Sequence, residues 1–167
     1  TVLATPASYN TPMGIAKTAK DLDLSYDVFV AEMGARRKGD IARLMHIVKP
    51  QIGILTGLNC QHLETFKSEK SIVVEKMHLV DMLDKDGFCV VNQSVLYNKF
   101  ADFSKHKDKQ IVFAGKEGEV YFSDPIVYDD GTRFKLHFGN NTYDAFTQLL
   151  GTHNLENLAL ASAVAHR

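Results

Sequence analysis

Only two cysteines, Cys60 and Cys89, occur in the 167 residues, and they form no CxxC pair. A disulfide framework or a zinc ribbon needs more than that, and a reducing cytoplasm suits such a set. No apolar run reaches the length of a membrane span, and no signal-peptide pattern opens the chain. Neither sign of charge is in excess. The formal net charge is −1, and no basic stripe interleaved with aromatics appears. Nothing in the composition therefore makes an electrostatic case for nucleic acid or an anionic membrane, which leaves small molecules or protein surfaces as partners. Internal repeats and low-complexity linkers are also missing.

What is present suffices for a core. At 45% hydrophobic residues, a chain of this length predicts one globular unit. It begins at Thr1 without a methionine and reaches Arg167 inside the apolar helical pattern NLENLALASAVAHR, with no Gly or Pro stop. That reads as a piece of something longer.

Short apolar runs rich in β-branched and aromatic residues predict strands at 28–33, 52–58, 88–92 and 111–114. Segments of helical period lie between the first three, at 40–48 with Ile41, Leu44, Met45 and Val48 on one face, and at 69–83. Such alternation predicts an α/β fold with a mostly parallel sheet flanked by helices. From 119 to 138 the period falls to two around YDDGT, which predicts a small antiparallel hairpin at one edge or end. A last helix is expected from about Thr152.

In an open parallel sheet, ligands sit beyond the carboxyl ends of the strands. There the sequence places Glu32, His62 with Glu64, and Asn92. Glu32 interrupts the apolar run VFVAEM and is either a hard oxygen ligand for magnesium or a carboxylate capping a helix. His62 is either a metal ligand or a solvated loop residue. Cys60 lacks an orienting third group for nucleophilic chemistry and reads as a small buried residue. Arg36, Arg37 and Lys38 form a basic loop that is either solvated or faces an anion. Thr152, His153, Asn154 and Asn157, in GTHNLEN, include expected N-caps, although an asparagine amide also has the donor and acceptor that adenine needs.

Lys76 poses a sharper problem. At about 100° per residue it falls among Ile72, Val73, Leu79, Val80 and Leu83, near the middle of an apolar stripe. Either it snorkels to water, or its desolvated amine turns neutral and takes up carbon dioxide as a carbamate, an anionic two-oxygen ligand.

In order along the chain, TPASYNTPMGI, VFVAEMGARRKGDIARL, PQIGILTGLNCQHLETF, the Glu75–Lys76 pair, DGFCVVN and LLGTHNLENLALASAVA resemble the central, ATP-binding domain of the Mur ligases. The resemblance runs nearly end to end and is weakest over 99–144. It implies a three-layer, P-loop-NTPase-like fold and a cytoplasmic ATP-dependent amide ligase of peptidoglycan synthesis. The nearest pattern is that of the branch adding D-alanyl-D-alanine to UDP-N-acetylmuramoyl tripeptide through an acyl phosphate. ATP and Mg²⁺ are then the implied cofactors. By the same resemblance, Glu32 serves the magnesium bridging the ATP phosphates, and carbamylated Lys76 with His62 holds a second one. His153, Asn154 and Asn157 lie on the adenine side, and Ser8, Tyr9 and Asn10 toward the UDP-sugar.

The sequence departs from that family in several places. No GxxxxGK[ST] occurs, so residues 1–167 read as a partial central domain, with the P-loop expected upstream and the UDP-binding and C-terminal domains absent. The isolated fragment is expected to be inactive. Lys67 stands where a glycine is common, and Gln93 and Ser94 where acidic residues are frequent. Two rival readings are another Mur or folylpolyglutamate-type ligase, and a non-catalytic nucleotide-binding or interaction module.

Overall fold

The computed structural model describes residues 1–58 and 63–167. They form two compact units, one of residues 1–50 with 63–82 and one of 51–58 with 83–167.

In the first unit, β1 (Val2–Ala4) pairs in parallel with β2 (Val28–Val30). The helix α1 (Pro12–Ala19) joins them. Thr11 caps it by accepting from the Gly14 amide at 3.2 Å, and Pro12 fills the first turn, where no amide is needed. Next come α2 (Asp40–Val48), a short α3 (Leu63–Phe66) and α4 (Glu69–Asp81), whose N-cap Ser68 accepts from the Ser71 amide. The expected face of α2 is borne out in Ile41, Leu44 and Met45, all buried. On α4, Ile72, Val73, Met77 and Val80 are buried.

Two readings of this unit need correction. Val28 and Val30 are about half exposed, at 50% and 49%, so the run VFVAEM is not a buried strand. The strand ends at Val30, and Glu32 lies two residues beyond it, exposed. An alternating burial pattern explains this, since only the Phe29 side is covered. On α4 the fully buried charge is Glu75, at 2% exposure, whereas Lys76, within the stripe by its spacing, is only partly buried.

The second unit is a six-stranded sheet in the order β3 (Ile52–Leu55), β4 (Phe88–Asn92), β5 (Gln110–Gly115), β6 (Val120–Tyr128), β7 (Gly131–Phe138) and β8 (Asn141–Thr147). Pairing is parallel from β3 to β6 and antiparallel thereafter. The β5–β6 pairing covers only two residue pairs, where the chain doubles back through Gly118. A Cβ on Gly118, with φ at +113°, would sit 2.3 Å from the Phe113 carbonyl oxygen. The predicted hairpin is the β6–β7 pair, and β8 extends it by a strand that periodicity missed.

All five residues of β4 are buried, as its unbroken apolar run FCVV predicts for a central parallel strand. Packed against this sheet is α5 (Thr152–Ala165), which sets Ala159, Leu160 and Ala163 against Phe88, Val90, Ala114 and Val120. Leu155 joins Phe122 and Phe134 in an adjoining cluster. Among the described residues, no helix is long and apolar enough to cross a membrane.

Candidate functional site

Glu32 is held where the first unit's strands end. Thr5 extends the pairing of β1 with β2 by donating its amide to the Val30 carbonyl at 3.0 Å, and its hydroxyl oxygen accepts from the Glu32 amide at 3.0 Å. Asn10 then donates its side-chain amide to Glu32 Oε1 at 3.0 Å, and its carbonyl accepts from the Gly34 amide at 2.9 Å. A side chain at Gly34 would strike the Asn10 amide, since a Cβ there would lie 2.8 Å from its Cγ. Neither Thr5 nor Gly34 stood out in the sequence as a site residue. The cue that could have found them is geometric, since Thr5 directly follows β1 and Gly34 lies in the loop that leaves β2.

The turn carrying Ser8, Tyr9 and Asn10 is tight. Ser8 adopts φ +68°, and the Tyr9 amide donates to the Pro6 carbonyl. Gly14 of α1 lies against it, where a Cβ would be 2.7 Å from the Tyr9 backbone. That contact fixes the turn that presents Asn10 to Glu32.

Downstream of Glu32, the basic loop is pinned by Asp40, whose Oδ2 accepts the amides of Arg36 and Arg37 at 2.9 and 2.8 Å. Arg36, Arg37 and Lys38 remain exposed. Lys76 lies in the same unit as Glu32, and Glu64 is exposed on α3. His62, expected as a metal ligand or solvated loop residue, and Cys60, expected to be buried, lie outside the described residues.

In the second unit, the expected residues gather at the start of α5. Gly151 is its N-cap and carries no side-chain bond, so Thr152 does not cap the helix as expected. Asn154 does not cap it either. Its amide donates to the Leu150 carbonyl at 2.7 Å, tying the helix start to the preceding turn. His153 folds over Gly151, whose added Cβ would be 2.8 Å from the ring, and His153 and Asn157 are exposed. Between them, Glu156 accepts from Asn92 at 3.1 Å. Asn92 is buried at the carboxyl end of β4, and its other amide atom accepts from the Ser94 amide at 2.9 Å. Gln93 donates to Glu117 at 3.3 Å. The Asn92–Glu156 pair was the second feature missed; its signal was a polar residue closing an apolar run.

Cys89 is inert by position, because burial pushes its thiol up to about 12 against a weaker opposing pull from Lys109. An apolar cavity of about 470 Å³ lies between Phe88, Val120, Phe138 and Ala163. It opens at the start of β4, the end away from Asn92.

No cluster of three or more His, Cys, Asp or Glu side chains suited to a metal occurs among the described residues. A divalent ion held in part by nucleotide phosphates needs only one or two carboxylates from the protein, and Glu32 fits that requirement. Its carboxylate is exposed and oriented by a neutral donor that leaves its charge in place.

A strand-end carboxylate fixed by neighbouring loops in the first unit, and a mixed, largely parallel sheet with a helix packed on it in the second, define an α/β fold, the class in which ligands sit at strand ends. Within that class the chain belongs to the Mur ligase middle domain family, whose model matches residues 1–165. It is 28% identical to the UDP-N-acetylmuramoyl-tripeptide--D-alanyl-D-alanine ligase of Buchnera aphidicola subsp. Baizongia pistaciae, over 98% of this chain and 36% of that protein. The enzyme of the same name from Mycobacterium bovis is 29% identical over 98% of this chain and 32% of its own length. Among solved structures, MurF from Acinetobacter baumannii superposes with a TM-score of 0.88 at 23% identity, over 99% of this chain and 36% of that one. MurF from Thermotoga maritima in complex with ADP gives 0.83 at 24% identity, over 99% and 38%. The chain spans about a third of the length of the curated relatives it matches.

Proposed function

We propose that these residues are a partial central domain of a cytoplasmic, ATP-dependent ligase that joins D-alanyl-D-alanine to UDP-N-acetylmuramoyl tripeptide in peptidoglycan synthesis. The observation that carries the reading is Glu32, a carboxylate oriented beyond the end of β2 by Asn10 and Thr5. The names of the curated relatives support the choice of substrates.

In this reading the tripeptide's terminal carboxylate attacks the γ-phosphorus of ATP, and ADP leaves. The amine of D-alanyl-D-alanine then attacks the acyl carbon, loses a proton and expels phosphate, forming the amide. Glu32 would hold Mg²⁺ near the phosphates, and Lys76, as a carbamate, would hold a second with His62. Such ions neutralise charge on the transferring phosphoryl group. The chain's own work is orientation. Asn10 and Thr5 hold Glu32 in place, and Asn154 fixes the start of α5, which carries His153 and Asn157 on the adenine side. Ser8, Tyr9 and Asn10 face the UDP-sugar. The phosphate cradle itself is assigned to a P-loop preceding Thr1 in the parent protein.

The test is ADP release and mass-spectrometric detection of the pentapeptide product by the full-length protein, with Mg²⁺, ATP and both substrates. Turnover that needs both substrates is expected. Turnover with a different acid or amine acceptor would move the reading to a folylpolyglutamate-type or other Mur ligase, and ATP binding without turnover to a non-catalytic module.

A further inference from the structure

A helix N-terminus carries amides without partners in the helix, and α2 has no side chain of its own to cap them. Its N-cap is Gly39, in the left-handed region at φ +86°. The amides are satisfied from another helix. Gly39 donates to Glu75 Oε2 and Ile41 to Glu75 Oε1, both at 2.8 Å. Glu75 is 2% exposed, the bond from Ile41 is buried and that from Gly39 partly so, and a charge-assisted bond shielded from water is strong and costly to lose. The two carboxylate oxygens thus occupy the anion-binding end of α2 and leave it unavailable to a nucleotide phosphate.

Lys76 is the next residue of α4, and Glu32 precedes the loop that ends at Gly39. Asp40 stiffens that loop through the amides of Arg36 and Arg37. We propose that Glu75 is a positioning residue that locks α4, and with it Lys76, to the Glu32-bearing segment at the start of α2. The inference rests on the ligase reading for its metal consequence, while the docking itself stands on the hydrogen bonds. A glutamine at 75 keeps the size but offers a single acceptor oxygen, and its amino group faces an amide donor. One of the two α2 amides is then orphaned, and the two helices lose their common register.

The test uses the full-length protein as wild type, Glu75→Gln and Glu75→Asp. Hydrogen exchange at the Gly39 and Ile41 amides, calorimetric Mg²⁺ titration with a non-hydrolysable ATP analogue, and the Mg²⁺ dependence of turnover are measured. Glu75→Gln should lose protection at those amides and weaken Mg²⁺ binding about 10-fold or more, as supports of metal ligands do. Glu75→Asp, with the charge kept on a shorter reach, should lose less, and it decides the matter if Glu75→Gln does not fold. A variant with a lowered melting temperature but wild-type Mg²⁺ affinity and half-saturation would overturn the proposal and leave Glu75 a fold element. Wild-type protein that binds Mg²⁺ and the analogue yet fails to turn over would sink the ligase reading alone, because exchange and titration still report on Glu75.

Discussion

Lys67 occupies a backbone conformation suited to glycine, at φ +63°. It follows α3, and its amide donates to the Leu63 carbonyl at 2.7 Å, so the residue closes that helical turn in the left-handed region. An L-residue pays about 1–2 kcal/mol there. Glycine removes that strain but adds freedom to the unfolded chain, which returns roughly 0.5–1 kcal/mol. Lys67→Gly should therefore stabilise the protein by about 1 kcal/mol, a rise of about 2–4 °C in Tm for a chain of this size. Lys67→Ala retains the Cβ and should give no rise. Thermal melts followed by circular dichroism, with urea denaturation as a second measure, would check both. A fall with glycine refutes the strain argument, and an equal rise with alanine would move the cause to the lysine side chain.

Other expectations follow from the second unit. Leu160→Ala, at 1% exposure in the α5–sheet core, should cost about 2–5 kcal/mol in denaturant unfolding, and a loss below 1 would mean the core is not packed as described. Gly118→Ala should cost about 3 kcal/mol by driving a Cβ into the Phe113 carbonyl, and near-wild-type stability would show that the β5–β6 turn relaxes freely. Site-resolved alkylation at pH 8 should leave Cys89 unmodified until the protein unfolds, and labelling of the native thiol would contradict its burial. Its folded thiol keeps its proton to about 12, whereas the unfolded one loses it near 9.0, so the unfolded state binds fewer protons between those values. Cys89 should therefore contribute a fall in stability as pH rises from 9.0 to about 12, absent in Cys89→Ala.

Periodicity made α2, α4, the start of α5 and the β6–β7 hairpin legible, because each buries one stripe or face. It failed where burial departs from hydrophobicity. VFV is as apolar as FCVV, yet only the latter is a central strand, and nothing in the apolar residues distinguishes a covered strand from one with an open face. β1 is three residues long and β8 carries mixed polarity, so neither gives a period-two signal. Residue type marked Glu32 in one unit and the asparagines near α5 in the other, but not what holds them. Lys76 drew notice as the charge in the stripe, while the buried charge is its neighbour Glu75, whose partners are backbone amides 34 and 36 residues away. The long-range bonds Asn10–Glu32 and Asn92–Glu156 are likewise set by topology rather than by spacing. Lys67 was visible as a departure from the family, and the left-handed φ supplies its physical meaning.

The most direct measurement is ADP release by the full-length protein with Mg²⁺, UDP-N-acetylmuramoyl tripeptide and D-alanyl-D-alanine, beside Glu32→Gln and Lys76→Ala. The account predicts turnover that requires both substrates and falls by about 10²-fold or more in each variant, as loss of a group stabilising transition-state charge should give. Robust turnover in both variants would contradict the assignment of Glu32 and Lys76 to the chemistry, and no turnover in the wild type would contradict the ligase itself.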